Sequence, residues 1–184
     1  MPRKTVEDTK NDRSISLAAP DIALRPARPE DAPFACAVQC ESIRPYREAY
    51  FGWSEAREQQ EFYQEWDAAQ VTIVERKSQP VGWFYLAQRR AYWALNRFHI
   101  AKSARRQGVG AAVLRLITAR AGFHKTPVIL QVYKNNPART LYERFGFFVI
   151  HEDHHQFHMR RDAPSAGDSD WTRWLRSPGG SQKL

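Results

Sequence analysis

The sequence predicts a mixed α/β domain in which strands outnumber helices, and three observations carry that prediction. Strand-like and helix-like segments alternate from about residue 21 to residue 162, with turn residues between them. The β-branched run Val71-Thr72-Ile73-Val74-Glu75 turns through Lys77-Ser78-Gln79-Pro80 into Val81-Gly82-Trp83-Phe84-Tyr85-Leu86, the pattern of two antiparallel strands. A helical period, Val109, Val113, Leu116 and Ile117, starts directly after a glycine turn. At 184 residues the chain suits one domain with a substantial core.

In order, Ile22-Ala23-Leu24-Arg25 reads as a short strand ended by Pro26. Pro29-Glu30-Asp31 opens a helix that carries Phe34, Val38 and Ile43 inward. The segment from Arg44 to Trp53 joins it to a second helix, for which Ser54 is a good N-cap. Glu55 lies in that helix's first turn, and Phe62 and Trp66 share one face. A third strand runs from about Tyr92 to Ile100, and the helix after the glycine turn has about four turns. Val128-Ile129-Leu130-Gln131-Val132-Tyr133 reads as an apolar strand buried on both faces. Asn136 caps a helix with Pro137 at its first position, and Gly146 stops it. Phe147–Ile150 and Gln156–Met159 close the domain as a hairpin, and no internal repeat is present.

A domain of residues 20–162 is thus flanked by flexible tails, 1–19 and 163–184. In the second tail Trp171, Trp174 and Leu175 stand at helical spacing, suited to a short helix docking on the domain or on a second subunit. The composition, 42% hydrophobic and 26% charged, is that of a soluble globular protein. No apolar stretch approaches the ~20 residues needed to span a bilayer, so no membrane partner is expected. Met1 to Ser16 has neither the apolar core of a secretory signal nor the acid-poor character of a transit peptide, and a cytoplasmic location follows as the expectation.

The net charge of +8 invites a polyanionic partner. Lys and Arg are scattered, however, and no helix-turn-helix, RNP-like aromatic strand or zinc framework is readable, which argues against nucleic acid. Cys36 and Cys40, four apart in a helix-like stretch, read as buried small side chains and not as a disulfide or a zinc pair. His151, His154, His155 and His158 fall in the closing hairpin, where alternate residues face opposite sides, and no metal is expected there.

The chemistry-bearing signal is the run Arg105-Arg106-Gln107-Gly108-Val109-Gly110. Glycine lets backbone approach a phosphate closely, and the first N–H groups of the following helix, up to Ala111, have no intrahelical partner. The spacing differs from a Walker A loop and from a Rossmann Gly-x-Gly-x-x-Gly, which disfavours nucleoside triphosphates and NAD. Further along, Leu141-Tyr142-Glu143-Arg144-Phe145-Gly146-Phe147 offers a phenol, Tyr142.

Taken in order, the strand, the Arg-x-x-Gly-x-Gly turn, the helix, the apolar strand, Asn135-Asn136-Pro137-Ala138 and the Tyr142 segment resemble the GCN5-related N-acetyltransferase (GNAT) superfamily. The resemblance covers about residues 22–161, with 95–150 its specific part. It implies the acyl-CoA N-acyltransferase fold: a mostly antiparallel central sheet flanked by helices, with one splayed parallel strand pair. It also implies acetyl-CoA as co-substrate and a primary amine as acceptor, the pantetheine lying between the splayed strands. On that likeness Phe98, His99 and Ile100 would bind the pantetheine arm. Arg105, Arg106, Gln107, Gly108, Val109, Gly110 and Ala111 would hold the pyrophosphate, and Asn135 would contact the cofactor. Tyr142 would protonate the departing thiolate, and a phenol of pKa ~10 is well matched to that task.

The base is less defined. Where many relatives carry a strand Glu, this chain reads Leu95-Asn96-Arg97-Phe98-His99-Ile100 and Leu130-Gln131-Val132, without a carboxylate. His99, Glu41 on the first helix, and an ordered water chain all stay open for the role. The Arg44–Trp53 segment walls the acceptor site in the family, so Tyr46 and Trp53, with Tyr50 and Phe51 beside them, are candidate acceptor-binding residues, as is Glu41 on the first helix near the expected groove. Core packing between helices is the competing reading of those aromatics. Relatives often dimerise, and Trp171 and Trp174 could contribute to a homodimer. An acyl-CoA-binding sensor or interaction protein of weak catalytic power is the second functional reading: the missing carboxylates favour it and Tyr142 opposes it.

Overall fold

The computed structural model describes residues 21–163. Of the two tails only Ala163 falls within them, and Trp171, Trp174 and Leu175 lie outside the described residues. The strands are β1 (Ile22–Pro26), β2 (Val71–Arg76), β3 (Gln79–Gln88), β4 (Trp93–Ile100), β5 (Val128–Tyr133), β6 (Phe148–Glu152) and β7 (Gln156–Arg161). Among the described residues the α-helices are α1 (Ala32–Phe51), α2 (Glu55–Glu65), α3 (Val109–Phe123) and α4 (Ala138–Arg144). One sheet holds all seven strands in the order β1-β2-β3-β4-β5-β7-β6. Every neighbouring pair is antiparallel except β4 and β5.

Two apolar clusters cover opposite faces. Val113, Leu114 and Ile117 of α3 and Tyr142 of α4 pack with Val74, Leu95, Leu130 and Met159 on one. Ala35, Cys36 and Val38 of α1 and Phe62 of α2 pack with Val71, Ile73 and Trp83 on the other. Phe62 and Trp66 stack with ring centroids 5.2 Å apart, as their spacing predicts. Arg25 ties β1 to the start of α1 and to β2, with 2.7 Å contacts to both Asp31 and Glu75.

Three local expectations change. Residues Arg44–Phe51 are not a connector but the last two turns of α1, which runs through Pro45. Proline removes one intrahelical hydrogen bond and costs about 3 kcal/mol. Opposing contacts hold those turns: Tyr46 and Tyr50 each stack on Tyr133 at 6.4 Å, and Arg47 donates to the buried Glu58 at 2.6 Å. The β2–β3 turn is two residues long, Lys77 and Ser78 at φ 50° and 60°, so Gln79 and Pro80 already belong to the ladder. Finally, β5 is core-facing on one side only, because Gln131 is exposed and Ile129 and Tyr133 are half-buried.

The feature that positions the site is a bulge in β4. Tyr85 pairs with Arg97 and Leu86 with Leu95, which leaves Asn96 as an extra residue. The bulge inverts the alternation. Trp93 and Leu95 face the α3 side, and so do Phe98 and Ile100, three residues on from Leu95 instead of two or four. Arg97 and His99 are thereby turned toward α1. Beside them β3 comes close through Gly82: a Cβ there would stand 2.5 Å from the His99 carbonyl oxygen.

Candidate active site

Beyond the bulge β4 and β5 separate. Their ladder covers only Trp93–Leu95 against Val128–Leu130, so among the described residues Arg97–Ile100 have β3 on one side and no strand on the other. The Ala101 N–H donates to Val81 on the β3 side (2.9 Å), while the Ile100 carbonyl accepts from Arg105 Nε on the far side (2.8 Å). Since successive residues alternate, the Phe98 backbone groups face the gap as well.

At the C-terminal end of β4 a 3₁₀ turn, Lys102–Ala104, leads into the Arg105–Gly110 run. Arg106 is in the left-handed region at φ 61°, and Gly108 sits there at φ 80° as the N-cap of α3. The first helical hydrogen bond of α3 is Ala112 N–H to Gly108 O, 2.9 Å. The N–H groups of Val109, Gly110 and Ala111 thus precede the helical ladder and point out of its end. Gln107 is pinned by Arg76 and by its own bond to Ser103 O, 2.7 Å.

The turn, the end of β4 and α4 meet at Gly110, where a Cβ would stand 3.5 Å from Leu141 Cδ2 and 3.8 Å from Phe98 Cζ. Tyr142, next to Leu141, is buried against Phe147 with centroids 5.9 Å apart. Burial alone pushes its phenol pKa up, so the hydroxyl keeps its proton throughout the physiological range. Asn135 is exposed in the turn after β5. Its neighbour Asn136 caps α4, accepting from Ala138 N–H at 2.9 Å, with Pro137 in helical conformation as the sequence predicts.

His99 faces the α1 side, with its ring 5.0 Å from that of Trp83 and Nδ1 2.7 Å from Ser42 Oγ. The Ser42 hydroxyl proton goes to Gln39 O at 3.0 Å. That assigns Nδ1–H as donor to Oγ and leaves the lone pair on Nε2. Burial, then the charges of Arg97 and Arg105, push the His99 pKa down to about 3. An unfolded chain takes up that proton near the ordinary 6.5. Between these values the unfolded state binds more protons, so stability falls as pH drops through the window. His99→Gln is expected to flatten the fall of Tm between about pH 6.5 and 4. An unchanged slope would show that the fold does not hold this ring neutral.

Glu41 lines an open cleft between α1 and α2, and its carboxylate is also tied to the turn after β4. Its Oε2 accepts from Lys102 N–H at 3.0 Å and is 3.6 Å from Arg105 Nη2, so it braces the turn that follows β4. The aromatic segment is divided. Tyr46 and Tyr50 join Tyr133 at the end of β5, and His155 packs on Tyr50 (4.8 Å) and Phe51 (4.5 Å). Trp53 is on the other side of α1, its Nε1 donating to Glu55 at 2.9 Å and the Arg44 guanidinium 5.6 Å from its ring.

Sequence reasoning missed Ser42, Tyr133 and the Arg47–Glu58 pair. Glu58 is 1% exposed, and Arg47 joins it to α1 beneath Tyr133. Only the spacing of Glu58, Phe62 and Trp66 on one face of α2 signalled it. Cys36 and Cys40 are buried, and burial raises both thiol pKa values, Cys40 to about 12, so neither is a nucleophile. Among the described residues no group of three or more His, Cys, Asp or Glu is gathered as for a metal ion. No helix among them is long and apolar enough to cross a membrane.

The geometry suits an elongated, phosphate-bearing ligand. The gap beside Phe98 offers backbone donors and acceptors to an amide-containing arm, and the open N–H groups at Gly108–Ala111 suit a pyrophosphate. Known folds agree. The chain has a TM-score of 0.62 to PaiA N-acetyltransferase from Thermoplasma acidophilum in complex with coenzyme A, at 16% identity, over 77% of this chain and 98% of that one. It has a TM-score of 0.60 to the histone acetyltransferase HPA2 and related acetyltransferase from Corynebacterium glutamicum, at 21% identity over 80% and 99%. An acetyltransferase from Thermus thermophilus gives 0.59 at 17% identity, over 77% and 96%. No curated protein sequence matches. The model of the acetyltransferase (GNAT) family matches residues 40–147, more than half of the chain. The protein belongs to the GNAT acetyltransferase family, whose members take their acetyl group from acetyl-CoA.

Proposed function

We propose that this protein moves the acetyl group of acetyl-CoA directly to a primary amine of a small molecule or peptide, within a ternary complex. The observation that carries the reading is the divergence of β4 from β5, with the Gly108 turn at one end and α4 packed beside it. Bound there, acetyl-CoA supplies an activated acyl group on a thiol leaving group.

Each residue then has a task. Arg105 to Ala111 hold the pyrophosphate, Gly108 giving the N–H groups their direction and Arg106 adding charge. Arg105 keeps the end of β4 in place through Ile100 O, with Glu41 bracing it. Phe98 to Ile100 align the pantetheine arm, and Asn135 contacts it from the β5 side. Tyr142 delivers a proton to the departing sulfur. Tyr46, with Tyr50 and Tyr133, forms the apolar wall on which the acceptor rests, and Trp53 closes the far side of α1.

Deprotonation of the ammonium falls to water oriented by the His99 Nε2 lone pair. A ring of pKa about 3 accepts a hydrogen bond at neutral pH but retains no proton, so the proton continues to solvent. The amine then attacks the thioester carbon and the C–N bond forms as C–S breaks; the Tyr142 proton ends on sulfur, and the second proton, shed by the acylated nitrogen, returns through solvent to restore the phenol.

The test is thiol release from acetyl-CoA with a panel of polyamines, amino acids, antibiotics and peptides with free N-termini or lysines. Turnover confined to one amine class supports the proposal. Tight acetyl-CoA binding without turnover on any amine would favour the sensor reading, and absence of binding would sink both.

A further inference from the structure

We infer that the acceptor is a monoamine with an aromatic body, received by the rings of Tyr46, Tyr50, Phe51, Tyr133 and His155, with Asp153 positioning His155. The inference rests on the acetyl-transfer reading above and names the substrate class of that same site. On this side of the sheet α1 bridges the gap between the diverging strands. Ser42 meets His99 of β4 at 2.7 Å, and one turn later Tyr46, then Tyr50, stack on Tyr133 at the end of β5, each at 6.4 Å. Four residues of helix rise about 6 Å, so an amine at the His99 ring and an aryl group on Tyr46 and Tyr133 are separated by a short alkyl link. Phe51 is exposed, and Tyr46, Tyr50, Tyr133 and His155 are half-buried, which leaves ring surface open to a ligand. Such rings take another ring in offset or edge-on contact and hold it with a large apolar area.

The charges around the cluster select against a second ammonium group. On α1, Glu41 lies 3.6 Å from Arg105 and Glu48 lies 3.3 Å from Arg44. On α2, Glu58 and Glu61 share Arg47, at 2.6 and 3.7 Å. Beside the β6–β7 turn, Glu152 faces Lys134 at 3.4 Å and Asp153 faces His158 at 3.0 Å. These carboxylates are already engaged, and Arg47 Nε is buried with no hydrogen-bond partner among the described residues. A polyamine would bring its second charge against Arg47 and Lys134, and like charges brought together are a means of rejecting a ligand. A single ammonium is served by water at His99 and by the faces of the tyrosines.

His155 is set in place by its own turn. Its carbonyl accepts from Lys134 N–H at 2.9 Å, and its N–H donates to Asp153 Oδ1 at 2.8 Å. The same Oδ1 accepts from Gln156 N–H at 2.7 Å, while Oδ2 pairs with His158 Nε2. Held so, the His155 ring stands edge-on to Tyr50 at 4.8 Å and lies 4.5 Å from Phe51. Asp153 acts on the acceptor through His155 alone, as a positioning residue.

Thiol release from acetyl-CoA tests this with 2-phenylethylamine, spermidine and ethylamine, whose chain stops short of the rings. 2-Phenylethylamine is expected to exceed spermidine in kcat/KM by about 100-fold, the effect of burying one aryl group. His155→Ser should raise KM for 2-phenylethylamine about tenfold with kcat unchanged, and leave ethylamine within about twofold of wild type. Asp153→Ala should do the same, and Asp153→Asn, which still accepts from the turn N–H groups, should restore most of the loss. Thermal melts confirm that each variant is folded. Preference for spermidine, or an unchanged KM for 2-phenylethylamine in His155→Ser, overturns the inference and leaves acetyl transfer standing. Absence of turnover on every amine sinks acetyl transfer instead, and calorimetry of 2-phenylethylamine on the CoA-saturated protein then decides. Binding that His155→Ser weakens supports the aromatic site, and absence of binding overturns it.

Discussion

Gly108→Asp is expected to weaken acetyl-CoA binding about 100-fold, the loss of roughly 2.7 kcal/mol at ~1.4 kcal/mol per decade. Two effects add. Gly108 is the N-cap of α3 at φ 80°, where a side chain meets the clash that costs about 1–2 kcal/mol per residue, though Asp tolerates it better than most. The larger effect is electrostatic. A carboxylate at the mouth of the turn would bond to the N–H groups of Val109–Ala111 and occupy the positive end of the helix, where the pyrophosphate has to sit. Gly108→Asn separates the two effects. It shares the backbone tolerance without the charge and should stay within about tenfold of wild type. Calorimetric titration with acetyl-CoA measures both, and thermal melts confirm that each variant is folded. Equal affinity for the Asp variant and wild type would remove this turn from the binding site.

What the sequence made legible follows from range. The glycine turn, the Asn136–Pro137 cap, the Gly146 stop and the Ser54 cap are read from neighbouring residues, and the structure has each where its spacing places it. The strand order and the short β4–β5 ladder agree with the fold that the family resemblance implies. The Asn96 bulge left no local trace, because it is defined by how β3 pairs across from it. Yet it decides which side of the sheet receives His99. Pro45 misled for the same reason. Its local cost is visible in sequence, while the Tyr133 stacking and the Glu58 ion pair that offset it come from residues 58 and 133, distant in the chain. Trp53 follows the Gly52 end of α1, and its place beside Arg44 depends on α1 continuing to Phe51, which the local sequence does not show. The depressed pKa of His99 depends on burial and on Arg105, both products of the assembled site.

Tyr142→Phe is expected to lower kcat about 100- to 1,000-fold, within the ~10²–10⁴ typical of a lost proton donor, while leaving acetyl-CoA affinity nearly intact. The substitution removes one hydroxyl and keeps the ring, which is 7% exposed and packed on Phe147. Packing is therefore conserved, and a loss in kcat reports the phenol proton alone. Burial holds that proton tightly, which by itself would make tyrosine a weaker acid. The same dry surroundings raise the basicity of a thiolate released beside it, so donor and acceptor rise together and the transfer stays favourable. Because no charged neighbour contributes to the shift, the phenol remains protonated across any practical assay range, and its loss should lower the rate without moving either limb of the pH profile. The decisive measurement pairs single-turnover acetyl transfer to an amine identified in the panel with a titration of acetyl-CoA binding. A rate equal to wild type assigns Tyr142 to packing between α4 and Phe147. A parallel loss of affinity would instead place its hydroxyl on the bound thioester in the ground state.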